Sequence, residues 1–315
     1  MSKKMVNAVL FDLTIQPTTI LGIRRMFHST AIKLTRPLFS QQSLSSKAKN
    51  LLFAITVCIG CLCNSVGAHD TWVQTNSLLA RPDDVVHVDL MLGNHGNNHR
   101  DFKLASKITI DKCTLIVKTP SGTLIDLKPR VVDCGSAAKE GFWSAKFDSQ
   151  ESGIYEVLHT LDTLHGTTRA IKTAKTYVLA RDSHAELIKN VDLAAVPINK
   201  NLEIVLDTPI DQLAASTPIR CTLLKHGKPH PGVRVSFIPR GAKLADDMDA
   251  NYERMSDANG HFEYTPIEGN LILIVAHDVA EDESGEGFDK THYGATLVLS
   301  VPKRPFRDIS TTSSK

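Results

Sequence analysis

Twelve of the 13 histidines follow residue 68, and several fall in groups. His69 precedes Asp70, His95 and His99 lie in GNHGNNHRD, His277 is followed by Asp278, and His292 by Tyr293. Imidazole nitrogens are the donors that nickel, cobalt and copper prefer. A histidine at a free amino terminus is a stronger ligand still, because its amine, with a pKa of about 8, and its ring, at about 6.5, can both lose a proton to one ion near neutral pH. If proteolysis exposes His69, a chelate of amine and ring is expected there. His95 and His277 are then the expected further ligands, and His99, His292 and Asp278 the remaining candidates. Thr71 stands at the third position counted from His69, so the other amino-terminal motif, which needs histidine there, is absent. The bland alternative is that surface histidines are solvated and bind nothing.

Five carboxylates crowd into AEDESGEGFD (280–289), a composition able to hold a hard cation through oxygen but lacking the ordered alternation of a calcium loop. A solvated acidic loop is the expectation. No Gly-x-Ser-x-Gly elbow, His-Glu-x-x-His helix, phosphate-cradling glycine loop or dinucleotide fingerprint occurs, so a non-enzymatic role is expected. The one enzymatic option left open is a copper oxygenase acting on polysaccharide, which uses the same amino-terminal histidine chelate.

Export is what would create that terminus. Leu51 to Cys63 is an uncharged apolar run preceded by Lys47 and Lys49. It is too short for a bilayer span of about 20 residues and matches the core of a signal peptide. Val66 and Ala68 supply small residues for cleavage before His69. Residues 1–68 are therefore read as a leader. A buried core helix and a lipoprotein anchor at Cys61 are the competing readings, and Met26 is an alternative start. Beyond the leader, 28 basic face 33 acidic groups, a net of about −5, which speaks against a nucleic-acid-binding surface. Cys113, Cys134 and Cys221 remain; export permits a Cys113–Cys134 disulfide, and three buried thiols are the alternative. No further transmembrane segment is expected after residue 68.

The elements that must position these side chains read as strands. Runs rich in β-branched residues recur between turn signals at 85–92, 113–118, 123–127, 141–147, 154–160 and 175–180, and again at 202–206, 219–224, 233–238, 261–264, 271–276 and 295–301. Pro120-Ser-Gly122 predicts a hairpin turn, and Asp257-Ala-Asn-Gly260 a turn with Asn259 and Gly260 at positive φ. Regular spacing of short strands favours β-sandwiches. The expected organisation is an all-β chain of two Ig-like or prealbumin-like sandwiches, 69–185 and 202–305, joined by a connector at 186–201 and ending in a loose tail at 306–315.

LKHGKPHPGVRVSFIPRG (224–241), SDANGHFEYTPIEGN (256–270) and YGATLVLSVP (293–302) resemble the C-terminal sandwich of a bacterial family of unknown function often described as periplasmic components of cobalt or nickel transport systems. AHDTWV (68–73) is similar to that family's processed start, GNH (93–95) to its early Gly-His, KTAKTYV (172–178) to its central lysine-containing strand, and LEIVLDTP (202–209) to the entry to its second domain. The resemblance implies a periplasmic or secreted protein that serves a membrane transporter of cobalt or nickel; the imidazole and amine donors add copper to the metals such a protein could bind. The alternative, from another class, is a sugar- or protein-binding adhesion module with incidental histidines. Trp72 and Trp143 are the only tryptophans, and both are expected in the core, which disfavours a saccharide platform.

Overall fold

The computed structural model describes residues 69–93, 109–135, 141–181, 201–245 and 247–306. The leader, His95 and His99, residues 186–200 of the connector and residues 307–315 of the tail lie outside the described residues. The chain is all-β. The first strands are β1 (Asp70–Thr75), β2 (Leu79–Ala80), β3 (Asp84–Gly93), β4 (Cys113–Lys118), β5 (Leu124–Asp126) and β6 (Val132–Asp133). There follow β7 (Trp143–Ser149), β8 (Gly153–His165), β9 (Thr168–Ala180), β10 (Leu202–Leu206), β11 (Ile219–Lys225) and β12 (Lys228–Pro229). The last are β13 (Arg234–Pro239), β14 (Glu253–Met255), β15 (His261–Tyr264), β16 (Asn270–Ala280) and β17 (Lys290–Val301). Among the described residues there is no α-helix, only single 3-10 turns.

A nine-stranded sheet in the order β14-β13-β16-β17-β9-β8-β4-β5, with β2 also on β9, forms the middle layer. The sheet β1-β3-β7-β6 packs on one side of it, and the sheet of β10, β11, β12 and β15 on the other. These are two sandwiches sharing one continuous sheet, which is joined where β9 runs parallel to β17. Because successive strand residues face opposite ways, β9 serves both cores. Ile171, Tyr177 and Leu179 pack with Leu202, Ile204, Phe237 and Phe262, whereas Ala174, Val178 and Ala180 pack with Val73, Val88, Leu115 and Phe147.

Strand β1 is likewise buried on both faces, with Val73 in the second of those cores and Trp72 in a third cluster with Met91, Leu273, Val275 and Val298. The turns follow their residues. Gly122 sits at φ 88 in the β4–β5 hairpin, and Asp257 Oδ1 accepts from the amides of Asn259 and His261, each at 2.8 Å. Gly260 has φ 78 there, and a Cβ on it would lie 2.5 Å from the Leu223 carbonyl oxygen. Asn259 is not at positive φ, contrary to expectation; its amide bond to Asp257 holds the turn without that. Positive φ falls instead on His226 and Gly227, which close β11 onto β12.

Candidate functional site

Asp70 opens β1, where its partner across the ladder is Gly93, the last residue of β3. It is 3% exposed. One row across the middle sheet runs under it: Lys172 on β9 pairs with Gly294 on β17, which pairs with His277 on β16. All three face β1. The Asp70 carboxylate accepts a hydrogen bond from His277 Nε2 at 2.7 Å and an ion pair from Lys172 Nζ at 3.4 Å.

Lys172 reaches Asp70 by lying across Gly294. A Cβ at 294 would stand 2.6 Å from Lys172 Nζ and 2.7 Å from its Cδ, so any side chain there drives the lysine off its counter-ion. Gly294→Ala is expected to cost about 1–3 kcal/mol of stability, read from the urea midpoint. A Gly294→Ala variant as stable as the parent would show that the lysine has another place to go.

His292 lies two residues before Gly294 on the same face, its ring centroid 5.4 Å from that of His277. Burial, and then the charge of Lys172, hold its pKa down to about 4, so the ring is neutral at physiological pH. A carboxylate oxygen only accepts, so His277 donates its Nε2 proton to Asp70, and Nδ1 is the ring nitrogen left for another partner. A histidine fixed by a carboxylate through one nitrogen is the arrangement that orients metal-binding imidazoles. His69, partly buried, is the neighbour of Asp70 in the chain. Two of the histidines singled out by sequence, His277 and His292, thus stand together at the start of β1, and His69 precedes Asp70 in the chain.

Asp278 does not join them. As the next residue on β16 it faces the opposite layer, where it pairs with Lys225 at 2.7 Å and lies 3.4 Å from His230. Lys225 also lies 3.4 Å from Glu283, and its ammonium stands over the Tyr293 ring at 4.6 Å. Tyr293 donates its hydroxyl to Glu283 and Lys290 pairs with Glu281, so two carboxylates of the acidic loop are engaged by neighbouring side chains. Among the described residues no group of three or more His, Cys, Asp or Glu stands at metal-holding spacing. Trp72 and Trp143 are both buried; Cys113, Cys134 and Cys221 are free thiols, of which Cys113 and Cys221 are buried and Cys134, contrary to expectation, is exposed.

Sequence reasoning missed Asp70, Lys172 and Gly294. The available signal was charge: a strand as apolar as β9 carries two lysines three residues apart, which alternation must send to opposite faces. Lys172 faces Asp70, and Lys175 faces Glu203.

Among the described residues no helix is long and apolar enough to cross a membrane. No curated protein matches the sequence. In structure the chain is similar to a DUF4785 family protein from Legionella pneumophila, with TM-score 0.26 and 8% identity over 65% of this chain and 51% of that one. It therefore spans about half the length of that relative. It is also similar to the D0-D1 domain of Intimin, with TM-score 0.20 and 15% identity over 74% of this chain and 100% of that one. The Yersinia pseudotuberculosis adhesin InvE gives TM-score 0.19 and 17% identity over 74% of this chain and 59% of that one. One sequence family covers more than half of the chain, residues 66–277, and so takes in His69, Asp70, Lys172 and His277. By that match the chain belongs to the family described as a domain of unknown function, DUF4198.

Proposed function

We propose that this is an exported, non-enzymatic protein of the periplasm or the secreted fraction that binds nickel, cobalt or copper and hands the ion to a membrane transporter. The observation that supports this reading is the bond from His277 Nε2 to the buried Asp70 carboxylate. It aims one imidazole, leaves Nδ1 for another partner, and does so beside a neutral His292 and at the residue that follows His69 in the chain. In the uncut chain the nitrogen of His69 is an amide and a poor ligand. Cleavage before His69 turns it into an amine, and the chelate of amine and ring supplies the donors that the pair of histidines lacks. Metal binding is thereby tied to processing. His95 and His99, outside the described residues, keep their place as candidate ligands from the sequence; His95 follows two residues after Gly93, the ladder partner of Asp70.

Titrating Cu²⁺, Ni²⁺ and Co²⁺ into protein beginning at His69, and into protein with one additional residue ahead of it, tests the reading. The extension is expected to weaken binding at least about tenfold, equivalent to about 1.4 kcal/mol. His277→Ala and His292→Ala are expected to do the same, and His95→Ala reports on the loop. Equal affinity in the processed and extended forms would remove the chelate, and no binding by either form would remove the metal.

A further inference from the structure

On the opposite face of β9 from Lys172, Lys175 is 4% exposed and its ammonium nitrogen touches the carboxylate of Glu203, itself 1% exposed. Glu203 comes from β10, the first strand of the second sandwich, which Thr173 ties to β9 through a 2.6 Å bond to the Leu202 carbonyl. A second carboxylate, Glu156 on β8, stands 3.5 Å from the same nitrogen. Leu158 and Leu297 flank Lys175 across the ladders, and Tyr177 is two residues along on its face. An amine, a carboxyl group and a third acid are thus held together by three strands.

Such an enclosure is poor for ions, because desolvating both charges offsets much of their attraction. It is good for the neutral pair, and contact between reacting groups in a rigid core replaces a bimolecular encounter with an intramolecular one. We propose that Lys175 and Glu203 condense into an intramolecular amide, with Glu156 as the proton shuttle.

The ammonium first passes a proton to the carboxylate. The amine lone pair then adds to Glu203 Cδ, forming the C–N bond. Glu156 takes a proton from nitrogen and delivers one to a carboxyl oxygen, the C–O bond breaks, and one water leaves. Nothing is oxidised or reduced, and Glu156 ends as it began. Burial raises the pKa of the Glu156 carboxyl, against the pull of Lys175 and Lys118, which suits a group that must take up a proton and return one. The product ties the strand shared by both sandwiches to the first strand of the second.

The test is mass spectrometry of the purified protein and of its tryptic digest. The expected result is an intact mass lower by one water and a branched peptide joining 173–181, uncut at Lys175, to 201–220. Recovery of both peptides in linear form at full mass would overturn the proposal, and so would a lost water found anywhere else in the chain. This readout needs no variant. Glu156→Gln, checked for folding by circular dichroism, is expected to yield the linear peptides; a branched peptide from that variant would overturn the role of Glu156.

Discussion

Asp70→Ala is expected to lower the unfolding free energy by about 3–5 kcal/mol, the usual cost of removing one partner from a buried ion pair. Asp70 and Lys172 have side chains only 5% and 6% exposed. Without the carboxylate, the ammonium remains over Gly294 with its counter-ion gone, and His277 loses the acceptor for its Nε2 proton. The penalty belongs to the stranded charge rather than to the pair. Asp70→Ala combined with Lys172→Met is therefore expected to recover most of the loss, since replacing both members by apolar groups is often neutral or better. Urea denaturation of the parent, both single variants and the double variant measures this. Equal midpoints for the parent and Asp70→Ala would mean that water reaches Lys172.

The second large effect is with acid. His159 on β8 is 1% exposed, with Nδ1 2.8 Å from the Thr114 carbonyl and Nε2 3.1 Å from the Thr71 hydroxyl. Burial pulls its pKa from 6.5 down to about 4. The unfolded chain therefore binds the proton more readily than the folded one throughout that interval, and stability must fall as pH falls through it. The contribution is fully present above pH 6.5 and gone at about pH 4, amounting to about 3 kcal/mol at 1.36 kcal/mol per pKa unit. His292, shifted the same way, adds to the trend. Urea midpoints measured from pH 7 to pH 4 for the parent and for His159→Gln, which keeps a polar group but does not titrate, isolate the effect. The variant is expected to show a distinctly flatter profile, and parallel profiles would refute the assignment to His159.

These predictions converge on β1, whose importance the sequence hides. DTWVQT has two polar residues, Asp70 and Gln74, on the same face as Trp72 and reads as the flank of a cleavage site, yet it lies between two cores and carries the carboxylate of the candidate site. Strands β8 and β9 are also longer than their apolar runs suggest. They extend to His165 and begin at Thr168, because the hairpin at Gly166, with φ 61, carries the ladder past the core into exposed residues.

The amino-acid sequence alone determined the class of the fold and many of its strands. The bounds expected for β4, β10 and β15 agree residue for residue with the structure, since short β-branched runs between turn residues have few other ways to bury themselves. It also singled out His277 and His292, whose rings lie 5.4 Å apart. Tertiary structure alone decided that β9 and β17 run side by side as parallel neighbours, that His277 and Asp278 part company across a sheet, and that Asp70, Lys172 and Gly294 complete the cluster. The reason is physical. A period of two residues reports that a strand has two faces, but a strand buried on both, such as β9, shows no alternation, and its partners are chosen by contacts a hundred or more residues away along the chain.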